Sequence, residues 1–323
     1  ILPMATPDTP ESGTIGSGDE SADRSIRKIV LMINPTAGQG RGGRNAPVAL
    51  RRLRERGLEV TQVQGESAED AVAKARAAVA EGTDALVALG GDGTVNLAVQ
   101  VVAGTDVPFG IIPLGTGDDN ARTLEVPLKD IEAAVDVVVD GHTRVVDLGH
   151  VTAADGASRW FLGVMSSGFD SLVNERANRL SWPKGQARYL ISTLAELRVF
   201  KPLPYVFTLD GVSHDARAML VAVGNGISYG GGMLVCPNAI VDDGLLTVTF
   251  LGEVSKLTFL KVFPKVFKGS HVEHPSVTEY TGRKIHLDAP HQVAYADGER
   301  VGPLPIDVEV RPGSLIAIVP RDK

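Results

Sequence analysis

Apolar positions along the chain follow two different rhythms, and the change between them divides it. An apolar strand runs from Ile26 through Ile33, a helix is expected to start near Pro47, a strand covers Leu58 to Val63, and a helix covers Ala68 to Glu81. The order is β-α-β-α. Ser67 and Asp70 form a capping box with Asp in place of the usual Glu, and Pro47 suits a first helical turn, where its missing N–H leaves nothing unbonded. Ala85 to Leu89 and Phe109 to Ile112 are short, unbroken apolar runs, as expected of strands covered on both faces of a parallel sheet. The residues therefore predict an open α/β domain.

After Asp147 the pattern turns to hairpin-like segments, Val145 to Val151 and Arg159 to Val164, joined by Ala154-Asp155-Gly156-Ala157. Further strands are expected at Tyr205 to Leu209, Ala216 to Val223, Leu245 to Leu251, Lys284 to Asp288 and Val308 to Val310. Helical stretches interrupt them at Phe169 to Arg179, Gln186 to Phe200 and Ser255 to Phe267. This half reads as mainly antiparallel β. The first 25 residues are rich in Pro, Ser, Thr, Gly and acids, without the basic start and apolar stretch of a secretory signal, and are expected to form a disordered tail.

With 323 residues, 43% of them hydrophobic, the chain is long enough for two domains with real cores. Its formal charge of -7 gives no reason to expect nucleic acid, so any basic site must be local. A single cysteine, Cys236, excludes an internal disulfide and all-cysteine zinc sites, and fits a reducing, cytoplasmic setting most easily. No stretch reaches the ~18 uninterrupted apolar residues of a membrane helix. The seven histidines show no metalloprotease spacing, and no G-x-S-x-G elbow occurs.

The candidate chemistry lies in the loops. The strand ending at Leu89 runs into Gly90, Gly91, Asp92, Gly93, Thr94, Val95 and Asn96, after which Leu97 to Val102 reads as a helix. Strand, glycine loop and helix N-terminus make a phosphate-cradling context, because oriented N–H groups and the helix dipole favour an anion. Neither a Walker lysine motif nor a G-x-G-x-x-G fingerprint is present. A second loop, Pro113 to Arg122, follows the next buried strand, so the loops after Asn34, Leu89 and Ile112 converge at the carboxyl ends of the strands, where open α/β sheets bind ligands. Asp92, Asp119 and Asp147 could then face one Mg2+, directly or through water. Taken singly, Asp118 reads as a turn residue and Asp147 equally as a ligand or a turn residue.

Three motifs, Asn34-Pro35-Thr36-Ala37-Gly38, Gly90 to Asn96, and Pro113 to Arg122, carry a resemblance to the soluble diacylglycerol kinase catalytic-domain family, which includes bacterial lipid kinases and the sphingosine kinases. The glycine loop alone is shared with NAD kinases and resembles phosphofructokinase loops; the combination is far more specific. The likeness continues through Ser167-Gly168-Phe169-Asp170, Gly230 to Asn238, Asp242 to Leu245, and Asp297-Gly298-Glu299. It implies an ATP-binding α/β domain over residues 26–147, a β-sandwich lipid-substrate domain over 148–310, and a segment at 311–323 returning toward the first domain. It assigns Asn34, Pro35, Thr36, Ala37, Gly38, Gly90 to Asn96 and Thr116 to the nucleotide, and Asp92, Asp119 and Asp147 to its Mg2+. A general base falls on Asp297, with Glu299 second, and a structural Mg2+ on Asp243 with the carbonyls of Ile240 and Leu245. Without the resemblance, Asp297-Gly298 reads as a tight hairpin turn. The chain departs from the family pattern at Asp118, Asn120 and Ser67, where relatives often carry Asn, Phe and a threonine.

The implied reaction is ATP-dependent phosphorylation of diacylglycerol or a similar lipid alcohol, peripheral to the inner face of the membrane. A soluble-substrate kinase of NAD-kinase type and a non-catalytic nucleotide-binding regulator are the alternatives, and a homodimer is an expectation from the relatives alone. Two basic, apolar stretches fit an anionic membrane surface, Arg176 to Lys201 and the segment holding Lys256, Lys261, Lys265 and Lys268. The ordinary account of either is an amphipathic helix whose apolar face joins the core.

Overall fold

The computed structural model describes residues 21–34, 37–168, 192 and 202–321. After a two-residue bridge, β1 (Ala22–Asp23), the first lobe alternates β2 (Lys28–Ile33), α1 (Ala37–Glu55), β3 (Glu59–Val63), α2 (Ala68–Ala80), β4 (Ala85–Gly90), α3 (Asp92–Val102) and β5 (Phe109–Pro113). The strands lie side by side in the order β3-β2-β4-β5, all parallel, so their carboxyl ends share one edge. Every residue of β4 and β5 is buried, which accounts for their unbroken apolar sequence.

Local chemistry sets the helix ends. The Ser67 hydroxyl accepts the Asp70 amide at 3.2 Å, and the Asp70 carboxylate accepts the Glu66 amide at 2.9 Å, so the expected capping box forms with its return arm one residue further out. The helix expected to begin near Pro47 begins instead at Ala37, and Pro47 lies inside it. The proline removes one hydrogen bond without ending the helix, and the glycines at 38, 40, 42 and 43 hide the preceding turns from a propensity reading. Beyond β5 follow α4 (Asp119–Thr123) and α5 (Ile131–Asp140), the latter capped by Asp130 and closed by Gly141 at φ 63°.

Two long strands then join the lobes. β6 (His142–Ala153) pairs antiparallel with β16 (Ile306–Ile318) along nearly their whole length, and β16 also meets β5 in parallel at Ala317 and Phe109. The register of β16 shifts between Arg311 and Leu315, at Pro312-Gly313, where the strand passes from one lobe to the other. Val146 and Leu148 of β6, with Leu315, Ala317 and Ile318 of β16, belong to the first hydrophobic core; Val151, Ala153, Ile306 and Val308 belong to the second. Residue 147, where the sequence pattern changes, is thus inside a strand that serves both.

The second lobe contains β7 (Ser158–Phe161), β8 (Val164–Gly168), β9 (Leu203–Leu209), β10 (Val212–Gly224), β11 (Leu246–Gly252), β12 (Val277–Gly282), β13 (Lys284–Asp288), β14 (Val293–Ala296) and β15 (Glu299–Pro303), paired antiparallel. Tyr205, Phe207, Phe161 and Phe250 fill its core. The fold is the expected α/β lobe followed by a mainly-β lobe. The expected segment from Ser255 to Phe267 is α6 (Lys256–Val262) continued by a tighter 3-10 turn over Phe263–Lys268. The helices expected at Phe169 to Arg179 and Gln186 to Phe200, and the basic stretch Arg176 to Lys201, lie outside the described residues. Among the described residues no helix is long and apolar enough to cross a membrane.

Candidate active site

The site forms where the loops after β4 and β5 meet the second lobe. Gly91 caps α3, so Asp92 is the first residue of that helix and its carboxylate sits at the positive end of the helix dipole. The two glycine loops touch: a Cβ on Gly115 would lie 2.7 Å from the Gly91 Cα, and a Cβ on Gly91 3.0 Å from the Gly115 Cα. These glycines are therefore required by loop-on-loop contact, whereas Gly93 is exposed. Asp118, left-handed at φ 52°, folds its Oδ1 back onto the Gly115 amide at 2.8 Å and turns the chain into α4.

Four aspartates gather here. Asp92 Oδ1 accepts the Asn120 amide at 3.1 Å. Asp119 is buried, and its Oδ1 accepts the Ser228 hydroxyl at 2.9 Å and the Gly232 amide at 2.7 Å, while its Oδ2 accepts the Gly231 amide at 2.7 Å. A Cβ on Gly117 would meet Asp92 Oδ2 at 2.9 Å and Asp119 Oδ2 at 3.1 Å, so both carboxylates close on that glycine. Burial, then the charge of Asp119, and further those of Asp118 and Asp297, push the Asp92 carboxyl up to about 7, against one opposing backbone hydrogen bond. Arg122 Nη2, which donates to the Gly117 carbonyl at 3.2 Å, brings a cation to the edge of the group.

The second lobe contributes the Asp297-Gly298 hairpin between β14 and β15, with both residues left-handed at φ 49° and 81°. The hairpin reading of these residues holds, and the turn carries the Asp297 side chain back into its own lobe at residues 162–164. Asp297 Oδ1 accepts the amides of Gly163 (3.0 Å) and Val164 (3.1 Å), and Oδ2 accepts the amide of Leu162 (3.0 Å) and Asn96 Nδ2 (3.4 Å). Burial raises its carboxyl to about 6 although all four hydrogen bonds oppose the rise. Glu299 reaches the glycine loop as well, its Oε1 lying 3.5 Å from where a Gly93 Cβ would be.

Asn96, expected at the nucleotide, is fully buried and used inside the protein: its Oδ1 accepts Arg159 Nη1 at 2.5 Å and its amide reaches Asp297. One turn on, Gln100 pairs both ends of its amide with the Trp160 backbone, at 2.9 and 3.0 Å. Helix α3 is thereby tied to β7 of the second lobe. Asn120 is buried with its Oδ1 unpartnered, and a Cβ on Gly163 would touch that oxygen at 2.9 Å and Asp297 Oδ1 at 2.7 Å.

Asp147 is elsewhere. Its Oδ1 accepts the Gly313 amide at 2.8 Å and its Oδ2 the Gly244 amide at 2.7 Å, and its carboxyl is raised by burial first, with Asp242 and Asp243 adding to the rise. The three carboxylates expected around one cation are thus two groups, Asp92 with Asp119, and Asp147 with the loop at residues 241–245. In that loop Asp243 accepts the Leu245 amide at 2.9 Å, Asp242 pairs with Arg144, and Ile240 is exposed. Among the described residues no cluster of three His, Cys, Asp or Glu is arranged to hold a metal.

Of the other expected nucleotide contacts, Asn34 directly follows β2 with its amide 3.5 Å from the Leu89 carbonyl, Ala37 and Gly38 open α1, and Thr116 is exposed on the second loop. Thr94 and Val95 are buried in α3. Pro35 and Thr36 lie outside the described residues. Ser228, Gly231 and Gly232 received no role from the sequence, nor did Arg159 and Gln100. The glycines at 230–232, with φ of 67°, 88° and 97°, were the available signal: in this left-handed run the N–H groups of Gly231 and Gly232 both point to one anion, here Asp119.

The acids of this site thus come from both lobes, Asp92 and Asp119 from the first and Asp297 from the second. The diacylglycerol kinase catalytic domain matches residues 28–151, and a YegS C-terminal NAD kinase beta sandwich-like domain matches residues 163–319. A diacylglycerol kinase of Mycobacterium tuberculosis is 45% identical over 297 residues, covering 92% of this chain and 96% of that protein. One from Staphylococcus aureus is 30% identical over 285 residues, covering 86% and 88%. Two solved Bacillus anthracis structures share the fold: one has TM-score 0.73 and 24% identity over 92% of this chain and 99% of that one, and the other, a diacylglycerol kinase, has TM-score 0.68 and 22% identity over 92% and 98%. The chain belongs to the diacylglycerol kinase family, and it is an enzyme of that family.

Proposed function

We propose that the protein transfers the γ-phosphoryl group of ATP to the hydroxyl of diacylglycerol or a similar lipid alcohol, as a peripheral enzyme at the cytoplasmic face of a membrane. The observation that carries this reading is the hydrogen bond from Asn96 of α3 to Asp297, which fixes a half-buried carboxylate of the second lobe beside the helix that follows the glycine loop. The triphosphate is held at the N-terminus of α3 by Gly91, Asp92 and Gly93, with Asn34, the start of α1 and Thr116 around the nucleotide.

The residues present fit a divalent cation in their chemistry, because the carboxylates of Asp92 and Asp119 close on the same glycine, Gly117, and burial followed by the charge of Asp119 raises Asp92 to about 7. Asp92 would hold it, with Asp119 acting through water since both its oxygens already accept protein hydrogen bonds. When bound with ATP it would shield the γ-phosphate oxygens. The alcohol oxygen attacks phosphorus, ADP leaves, and the hydroxyl proton passes to Asp297. The Asn96 contact, the longest of the four to that carboxylate, is the one an incoming hydroxyl most readily displaces. Glu299, near Gly93, is the second candidate for the proton.

Radiolabel transfer from ATP to a panel of lipid alcohols in mixed micelles, with NAD as the soluble acceptor, tests the reading. Lipid labelling is expected, with Asp297→Asn lowering turnover by about 10²–10⁴-fold and leaving ATP affinity nearly intact. Labelling of NAD alone, or of nothing, would overturn it; near-normal turnover by Asp297→Asn with loss in Glu299→Gln would move the base to Glu299.

A further inference from the structure

We propose that the outward face of residues 256–268 is a docking surface for an anionic lipid bilayer; it takes its purpose from the lipid-kinase reading but is tested separately. Ser255 caps α6 by accepting the Thr258 amide at 3.1 Å, and the chain tightens at Pro264 into the 3-10 turn. This change of pitch sorts the apolar side chains into two sets. Phe259, Val262 and Val266 are buried against the lobe, whereas Leu257, Phe267 and Leu260 are 73%, 51% and 47% exposed. Phe263 packs partly buried beside the first set, so three of the seven Leu, Val and Phe side chains of the segment stay outside the core.

Each exposed apolar residue has a lysine beside it in sequence: Lys256 with Leu257, Lys261 with Leu260, Lys268 with Phe267. Lys265 adds a fourth, all four are exposed, and no acid occurs between residues 256 and 268. An anionic surface would repel a chain of net charge -7 at long range. Screening limits that repulsion to about 10 Å at ordinary ionic strength, so a local run of lysines decides contact. Apolar tips flanked by ammonium groups match the boundary between acyl chains and anionic headgroups. A protein partner would be expected to bury such leucines and phenylalanine without needing a lysine next to each.

The inner face of the segment connects to the site. Val266 packs with Met233 and Val235, and its carbonyl accepts the Leu234 amide at 3.0 Å. Met233 closes the turn with Tyr229 that presents Gly231 and Gly232 to Asp119. A bilayer seated on residues 256–268 therefore lies against the unit that closes over the acids.

Sedimentation of the full chain with phosphatidylcholine vesicles, alone and mixed with phosphatidylglycerol, measures docking. Alongside it runs phosphorylation of a short-chain, water-soluble diacylglycerol and of a long-chain one in the vesicles. Binding is expected to the mixed vesicles only, falling about fivefold for each lysine lost, hence about twenty-fivefold for Lys261→Ala with Lys265→Ala. Leu257→Glu with Phe267→Glu should abolish it, and both variants should keep wild-type activity on the short-chain substrate while losing it on vesicles. Unchanged vesicle binding in both variants overturns the docking surface even if the kinase is active. A protein that phosphorylates neither lipid, yet binds mixed vesicles through these residues, leaves the surface standing and removes the kinase reading. If Phe267→Glu turns a dimer into a monomer without changing vesicle binding, the face is a subunit contact and the proposal fails.

Discussion

A carboxylate raised to about 7 carries more proton affinity folded than unfolded, so Asp92 costs the native state stability once it is ionised. The sign follows: its stabilising contribution is present below the ordinary carboxylate value of 3.8 and is lost as pH rises through about 7. Replacing it by Asn, in chelator-treated protein, should raise stability above that pH by on the order of 1–2 kcal/mol after allowing for solvent screening, and the gain should vanish in acid. Mg2+ with ATP should raise the Tm of the wild type and much less that of Asp92→Asn; equal shifts would remove Asp92 from the cation. Asp297, raised to about 6, accepts a proton only when ionised, so kcat/KM should fall as pH drops through about 6. A profile flat through that range would exclude it as the base. At this scale the sequence named the acids that the structure gathers, Asp92, Asp119 and Asp297, and could not give their partners, because the donors to Asp119 come from residues 228–232, more than a hundred positions away.

Elements were legible wherever burial and hydropathy agreed. The runs at β4 and β5 are apolar throughout because both faces are covered, and their bounds fall within a residue of the expected ones. β8 escaped because Ser166 and Ser167 are buried in mid-strand, where a hydropathy pattern expects apolar residues. β16 was visible only as Val308 to Val310, because Pro312-Gly313 reads as an end and is instead a register shift inside a 13-residue strand. The glycine loops were located correctly but for an incomplete reason, since Gly91 and Gly115 are small so that the loops can touch. Gly115→Ala should therefore cost about 1–3 kcal/mol by overpacking even without nucleotide. Chemical denaturation of the ligand-free protein measures this; an unchanged midpoint with weakened ATP binding would return that glycine to a ligand-approach role.

Across the whole molecule, aspartates hold the two lobes as much as they furnish a site. Asp119 of the first lobe accepts three hydrogen bonds from the turn at residues 228–232, Asp297 of the second is tied to Asn96 of α3, and Asp147 sits between them on β6. Composition showed two domains' worth of core but had no means of showing that β6 and β16 run through both, since pairing over such separations leaves no local pattern. Asp147 lies where β16 shifts register, and its two oxygens satisfy the amides of Gly313 in that shift and of Gly244 in the neighbouring loop. Asp147→Ala would leave both amides without an acceptor, each costing ~1–3 kcal/mol where water cannot replace it. The expected outcome is a loss of about 2–5 kcal/mol and a calorimetric transition that broadens or splits as the lobes uncouple, with ATP affinity little changed at temperatures where the protein stays folded. A variant with wild-type unfolding but lost ATP and Mg2+ affinity would instead place Asp147 at the nucleotide cation, and the shared strands alone would then have to hold the lobes together.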